Sequence, residues 1–122
     1  MIKLLIADDH HFVREGLKMI LSETEDIVVT AEASDGEEVL DKLKADNFDV
    51  MLLDMAMPRK SGLDVLREIK AQGDKIPVIM MSAYATDDYG QRAIKDGADG
   101  FLSKEDIPEK LIDAIRKVVQ NK

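Results

Sequence analysis

Acidic residues follow two apolar runs of the sequence, and their spacing is suited to metal-dependent chemistry. Asp54 directly follows the run 50–53, and Asp8 and Asp9 directly follow the run 4–7. If the two runs form neighbouring parallel strands, the three carboxylates meet at one edge of a sheet. Two carboxylates about 4 Å apart repel by roughly 4 kcal/mol at an effective dielectric of 20, so three remain ionised together only beside a cation. The spacing therefore predicts a site for a hard divalent metal ion.

A serine and a lysine follow two later apolar runs in the same way. Ser82 follows the run 78–81, and Lys104 follows the run 100–103. Ligands of doubly wound parallel sheets bind beyond the carboxyl ends of the strands, so we expect these two side chains beside the acids. An oxygen nucleophile, a metal ion, a hydroxyl donor and a fixed cation are the groups that phosphoryl transfer requires. The residue types therefore favour that chemistry.

Five apolar runs alternate along the chain with amphipathic helical patterns. The runs are 2–7, 27–33, 50–53, 78–81 and 100–103. The predicted apolar stripes of the helices are Val13, Leu17, Ile20 and Leu21; Val39, Leu40 and Leu43; Leu63, Leu66 and Ile69; and Leu111, Ile115, Val118 and Val119. The runs are continuously apolar, which is typical of strands covered on both faces. The pattern predicts an α/β fold, a doubly wound parallel five-stranded sheet with helices on both faces.

A few residues mark the expected ends of the helices. Ser34 precedes Glu37 at the spacing of a capping box, which predicts the start of the second helix there. Gly97 is expected to stop the fourth helix, and Pro108 suits the first turn of the last one. These boundaries agree with the alternation of strands and helices.

The fourth helical segment, 86–96, differs from the others in its apolar content. Its only large apolar residues are Tyr89 and Ile94. An element with few buried contacts lies at the low-stability end of a molecule, where switching parts are usually found. We expect this helix to be the loosest, and an ordinary surface helix that packs through alanines is the alternative.

Length, charge and composition limit the class of protein. A chain of 122 residues is expected to form one domain. The absence of cysteine excludes a disulfide scaffold and a cysteine zinc site. Its longest apolar stretches are too short to span a membrane, which favours a cytoplasmic protein with no membrane partner. A formal charge of −8 disfavours direct binding to nucleic acid, and solubility is its simplest explanation.

The adjacent residues His10 and His11 suggest a metal site made of two imidazoles. Neighbouring residues of a helix point about 100° apart, so the two rings cannot share one ion. We interpret both histidines as residues of the first turn of a helix.

Four motifs in this order and spacing resemble the receiver domain of two-component response regulators. They are Asp8-Asp9; Asp54-Met55-Ala56-Met57-Pro58 with Gly62; Ser82-Ala83; and Phe101-Leu102-Ser103-Lys104. Each motif is weak alone, but together they span nearly the whole chain. The resemblance implies a flavodoxin-like (βα)5 fold with strand order 2-1-3-4-5. It also implies that residues 1–122 are one receiver domain and that no output domain is present in this chain.

The resemblance also implies a magnesium site. Mg²⁺ would be held by Asp9, Asp54 and the backbone carbonyl of Ala56, with Asp8 acting through a water. The ion prefers octahedral oxygen ligands and keeps several of its waters, which is compatible with so few protein ligands.

The remaining roles that the resemblance implies concern the phosphoryl group and a switch. Asp54 would accept the group from a histidine kinase or a phosphotransfer protein, and Lys104 and Ser82 would contact its oxygens. We expect Ser82 to move inward on phosphorylation and Phe101 to turn into the vacated space, which changes the face of helix four, strand five and helix five. Two or three charge-assisted hydrogen bonds supply roughly the 5.5 kcal/mol that a near-complete two-state shift needs.

Further residues look most like the NarL/LuxR-type subgroup, whose receivers usually precede a DNA-binding domain. They are Asp8-Asp9-His10, Arg14-Glu15-Gly16-Leu17 and Lys104-Glu105. This likeness implies control of transcription, and it leaves a phosphorylation-dependent homodimer open. Glu105 stands where the family usually has proline, which puts in doubt the cis peptide that is common there.

Two other functions compete with the phosphoacceptor interpretation. A haloacid-dehalogenase-type phosphatase also uses an aspartyl nucleophile and magnesium, but it needs a second acid two residues later. Ala56 stands there after Asp54, and His10 stands there after Asp8. The other alternative is a degenerate receiver that acts only as a protein-interaction module, and the complete acidic set argues against it.

Overall fold

The computed structural model describes residues 1–83 and 87–121, with the backbone alone at 87–89. In this part of the chain the elements are β1 (Ile2–Ala7), α1 (His11–Leu21), β2 (Ile27–Ala33), α2 (Gly36–Ala45), β3 (Val50–Asp54), α3 (Gly62–Ala71), β4 (Val78–Ser82), α4 (Asp87–Lys95), β5 (Gly100–Ser103) and α5 (Ile107–Gln120). A turn of 3-10 helix, Lys104–Asp106, joins β5 to α5, and Pro108 lies in the first turn of α5 as predicted. None of the described helices has the length and apolarity that crossing a bilayer requires.

The five strands form one parallel sheet in the order β2-β1-β3-β4-β5. This confirms the flavodoxin-like (βα)5 arrangement and the strand order that the family resemblance implies. The chain runs outward from β1 to β2, returns to β3 on the other side of β1, and continues to β4 and β5. The connections that leave β1 and β3 therefore diverge, which opens a crevice at the carboxyl ends of these two strands.

Helices cover both faces of the sheet, so the core has two apolar layers. Leu5 and Met51 belong to the layer that packs against α2, α3 and α4. Leu4 and Leu52 belong to the layer that packs against α1 and α5. Every residue of β3 and β4 is buried. Burial on both faces is the physical reason why these strands are continuously apolar.

The start of α2 differs from the prediction. Asp35 caps this helix, and its carboxylate accepts a hydrogen bond of 2.9 Å from the amide of Glu38. The predicted capping box between Ser34 and Glu37 is therefore wrong by one residue. A carboxylate is a strong acceptor at a helix start, where the amides carry partial positive charge, so Asp35 is favoured over the serine hydroxyl.

Helix α4 packs on the sheet through a small side chain. Ala93 is fully buried, whereas Ile94 is 51% exposed. Ile94 is therefore not the core residue that its apolar character suggested, and the alternative of packing through alanine is favoured. Thr86 and the side chain of Tyr89, which belonged to the same prediction, lie outside the described residues. Gly97 ends the segment with φ +108°, as predicted for a helix stop.

Candidate functional site

Strand pairing places the predicted acids side by side. The register of β1 with β3 ends one residue before Asp8 and Asp54, so these two carboxylates follow neighbouring strands at the same level. One carboxylate oxygen each from Asp8, Asp9 and Asp54 and a ring nitrogen of His10 all lie within 4.8 Å of one another. The three acids that were predicted to meet are therefore together in the structure.

The partly buried ammonium group of Lys104 neutralises part of this acidic charge. Lys104 Nζ lies 2.8 Å from Asp8 Oδ2 and 3.3 Å from Asp54 Oδ2. Asp8 and Asp54 are buried, whereas Asp9 is exposed. Buried charges are tolerated only when they are paired. The ion pairs with Lys104 therefore help to stabilise the buried carboxylates of Asp8 and Asp54. The peptide bonds of the described residues are trans, including the one from Lys104 to Glu105.

The pKa values of the two central groups respond to this crowding. Burial, with repulsion from the Asp8 carboxylate, raises the pKa of Asp54 to about 6, while Lys104 and the Ala56 amide act in the opposite direction. Burial alone lowers the pKa of Lys104, but its contacts with Asp8 and Asp54 outweigh burial and raise it. Near neutral pH the site therefore contains an ionised carboxylate that a further cation would stabilise.

The donor set fits a hard divalent cation. Asp8 Oδ2 is buried and makes no hydrogen bond within the described part of the chain, although it forms the ion pair with Lys104. Its neighbours in the acidic group are further carboxylate oxygens, which are the ligand type that Mg²⁺ prefers. The exposed position of Asp9 leaves one side of the group open to solvent, where an ion can keep its waters.

A depression of about 500 Å³ opens beside the acids. Its lining includes six residues from four strand ends and one helix: His10, Asp54, Ala56, Ser82, Arg92 and Lys104. Ser82, the last residue of β4, is 3% exposed. The structure thus brings the serine and the lysine to the same edge as the acids, which is the convergence expected of the strand ends.

The predicted switch residue Phe101 lies on β5 next to α4. Its ring is partly buried, and a Cβ added to Gly90 of α4 would lie 3.2 Å from the ring atom Cδ1. The phenylalanine therefore contacts the helix that is predicted from the sequence to be the loosest. This contact joins β5 to α4, and the movement of Phe101 stays a prediction.

His10 is a site residue that the sequence interpretation missed. It precedes α1 rather than lying in its first turn, and its Nδ1 lies 3.0 Å from Asp8 Oδ1 and 3.2 Å from Asp9 Oδ1. The backbone amide of His10 also donates to Asp8 Oδ1 over 2.9 Å. His11 begins the helix, and its ring faces Glu15 at 3.6 Å. The available signal was the position directly after two acids, where an Asp side chain commonly accepts from the amide two residues later.

Contacts made by Gly62 and Arg14 hold the strand ends in place. The amide of Gly62 donates to the carbonyl of Met55 over 3.0 Å, and a Cβ at Gly62 would lie 1.8 Å from the carbonyl oxygen of Asp54. The loop after β3 can therefore fold back on Asp54 only because residue 62 lacks a side chain.

Arg14 holds the end of β1. Its Nη1 donates to the carbonyl of Asp8 over 2.6 Å, and its Nε pairs with Glu32 at 3.1 Å. These contacts position the acids from both sides.

Comparison with known proteins agrees with this geometry. The family model of the response regulator receiver domain matches residues 4–116. The transcriptional regulatory protein YxjL of Bacillus subtilis is 36% identical over 115 residues, which cover 94% of this chain and 53% of that protein. The response regulator UvrY of Escherichia coli is 36% identical over 118 residues, which cover 97% and 54%.

A solved structure leads to the same family. The DNA-binding response regulator of the LuxR family from Staphylococcus aureus has a TM-score of 0.89 and 28% identity, covering 98% of this chain and 99% of that one. The chain spans about half the length of the curated relatives it matches. It belongs to the receiver domains of two-component response regulators, and its relatives include LuxR-family regulators of transcription.

Proposed function

We propose that this receiver domain accepts a phosphoryl group on Asp54. Receiver domains of response regulators take phosphoryl groups from histidine kinases, and a phosphotransfer protein is an alternative donor. The observation that carries the proposal is the buried Asp54 carboxylate at 3.3 Å from the Lys104 ammonium, on the wall of an open depression. A signalling role as a phosphoacceptor fits this site better than the turnover of a metabolic substrate. A phosphatase with an aspartyl nucleophile needs a second acid two residues after it, and that position is Ala56.

In the proposed reaction, a carboxylate oxygen of Asp54 attacks the phosphorus of the donor. A phosphorus–oxygen bond forms as the bond from phosphorus to the donor's imidazole nitrogen breaks, and the imidazole leaves with the electron pair. Lys104 contacts the Asp54 carboxylate before transfer and the phosphoryl oxygens after it. Ser82, at the end of β4, donates a hydrogen bond to one of these oxygens.

We propose that Mg²⁺ is the ion of this site. Asp8, Asp9 and Asp54 would hold it with the backbone carbonyl of Ala56, and we expect Asp8 to act through a water. When bound, the ion neutralises the carboxylates and the charge of the transferred group. The three acids provide oxygen ligands, and the solvent-facing side at Asp9 leaves room for retained waters.

The proposed output is the control of transcription by a protein in the cytoplasm. Phosphorylation would move Ser82 and Phe101 and change the surface of α4, β5 and α5, which then acts on an output domain or on another partner. A phosphorylation-dependent homodimer is one form that this output can take. The formal charge of −8 argues against direct binding of these residues to nucleic acid.

Phosphorylation by a small-molecule donor tests the proposal. The chain is incubated with acetyl phosphate and Mg²⁺, and its intact mass is measured. We expect the wild type and the control Asp41→Asn, a charge change at an exposed residue of α2, to gain a single phosphoryl group. Asp54→Asn should gain none. Chelation of Mg²⁺ should prevent the gain in the wild type and in Asp41→Asn. Equal labelling of Asp54→Asn, or equal labelling in a chelator, would falsify the proposal.

A further inference from the structure

The ring of His10 adds a nitrogen ligand to a site whose other donors are oxygens. We propose that this site also binds divalent transition metal ions, such as Ni²⁺ and Zn²⁺, with His10 as a direct ligand beside Asp8, Asp9 and Asp54. The inference rests on the acidic metal site of the proposed function, and it adds a residue and a class of ion to that site.

The positions of the four donors support a shared ion. His10 Nδ1 lies between two carboxylates, 3.0 Å from Asp8 Oδ1 and 3.2 Å from Asp9 Oδ1. One ligand atom from each of these residues and from Asp54 falls within a 4.8 Å group. Ligands at about 2.2 Å from a metal ion are at most about 4.4 Å apart, so the group needs to contract by only a few tenths of an ångström.

The surroundings of the donors permit that contraction. The His10 side chain is 63% exposed, so its ring can turn toward an ion without disturbing the core. Its backbone amide is held by Asp8, which keeps the residue beside the acids while the ring moves. Asp8 itself is fully buried, and its Oδ2 is paired with the Lys104 ammonium at 2.8 Å. An ionised carboxylate has about four lone-pair sites, so the ion pair with Lys104 leaves Asp8 able to contact a further cation.

The chemistry of the donor atoms determines which metal ions His10 binds well. Mg²⁺ is a hard ion that selects oxygen ligands, so an imidazole adds little to its binding. Imidazole nitrogen is a preferred ligand of Ni²⁺, Cu²⁺ and Zn²⁺, and affinity for such sites rises along the first-row series up to copper. His10 should therefore strengthen the binding of transition metals selectively. Because these ions occupy the same carboxylates, they should displace Mg²⁺.

Calorimetric titration of the untagged chain with Ni²⁺ alone and with Mg²⁺ alone tests the inference. We expect His10→Gln to weaken Ni²⁺ binding about tenfold or more and to change Mg²⁺ binding less than about threefold. The matched control is His11→Gln, which removes the neighbouring imidazole that faces Glu15 and should leave both affinities unchanged. In the wild type, Zn²⁺ should also shift the imidazole nitrogen resonances of His10 and not those of His11.

The possible results separate the two proposals. If His10→Gln binds Ni²⁺ as tightly as the wild type, His10 is not a ligand and the inference is wrong. A loss confined to His11→Gln places the ion at His11 and Glu15 and also overturns it. If Mg²⁺ itself does not bind the wild type, the magnesium part of the proposed function fails, whereas a His10-dependent Ni²⁺ site would still stand.

Discussion

At the scale of single residues, ionisation of Asp54 destabilises the folded state relative to the unfolded state. Its pKa rises from the ordinary 3.8 to about 6 because the carboxyl is buried beside Asp8. Between these two values the folded chain binds more protons than the unfolded chain at this position. The contribution of Asp54 therefore lowers the free energy of unfolding as pH rises through this window, and the loss is complete above it.

Replacing the carboxyl by an amide should remove that cost. In the absence of Mg²⁺ and above pH 6, we predict that Asp54→Asn is more stable than the wild type by about 1–2 kcal/mol. The difference should shrink as pH falls from about 6 toward 3.8 and should vanish below 3.8, where Asp54 is protonated in both the folded and the unfolded wild type. Urea unfolding at a series of pH values measures it, with Asp41→Asn as the control for a lost surface charge. A less stable Asp54→Asn at neutral pH would contradict the prediction.

Most of the site residues were predictable because each is a polar residue at the end of an apolar run. Asp8, Asp54, Ser82 and Lys104 are of this kind, and parallel strands carry such residues to one edge of the sheet. His10 was not predictable in this way. Its place beside the acids depends on the turn between β1 and α1, and apolar periodicity carries no information about a turn.

At the scale of elements, the loop between β3 and α3 depends on a glycine that leaves no room for a side chain. A Cβ at Gly62 would overlap the carbonyl of Asp54 at 1.8 Å, and backbone atoms cannot move aside as a flexible side chain can. Gly16 on α1 provides the opposite environment, because outside its chain neighbours and the backbone of its own helix no atom lies within 4 Å of its added Cβ. The two glycines therefore allow one substitution to be compared in two settings.

We predict that alanine at these two positions has effects of opposite sign. Gly62→Ala should lower the free energy of unfolding by about 1–3 kcal/mol or more, because the loop must shift to relieve the overlap. Gly16→Ala should raise it by about 0.5–1 kcal/mol, because alanine is the better residue in an exposed helix. Denaturant unfolding gives both values. Wild-type stability of Gly62→Ala would show that the close approach to Asp54 is not required.

The contact between Phe101 and α4 should transmit a movement of Ser82 at the site to the surface formed by α4, β5 and α5. Fluoroberyllate, which mimics a bound phosphoryl group, should shift the backbone amide signals of α4, β5 and α5. The physical reason is that the inward movement of Ser82 makes room for the Phe101 ring, which then leaves α4. Amide spectra before and after saturation, with Asp54→Asn as the control, measure the effect. Unchanged signals on this face at saturation would exclude such a switch.

At the scale of the whole molecule, the positions of all five strands followed from the sequence. In the structure β3 and β4 are each one residue longer than their apolar runs, and they end in Asp54 and Ser82. Strand order did not follow from the runs, because short apolar strands of similar composition do not specify their neighbours. The order came from the resemblance to a family, and the parallel pairing of β1 with both β2 and β3 confirms it.

The excess of acidic charge at one end of the sheet should also couple metal binding to the stability of the entire domain. We predict that Mg²⁺ at about 100 times its Kd raises the free energy of unfolding by about 2.7 kcal/mol, because the ion binds the folded chain only. Asp54→Asn should respond less. A monovalent salt of equal ionic strength is the control, since it screens the net charge of −8 without binding the acids. Equal stabilisation by both salts would show that no specific site exists.

Identification of the modified residue is the most direct examination of phosphoryl transfer to Asp54. Borohydride reduces an aspartyl phosphate to homoserine and leaves free carboxylates unchanged, so peptide mapping after reduction locates the acyl phosphate. We predict homoserine at residue 54 alone, and only in samples that contained both acetyl phosphate and Mg²⁺. Homoserine at Asp8 or Asp9 in place of Asp54, or a phosphorylated chain that yields no homoserine, would contradict the assignment of Asp54 as the phosphoacceptor.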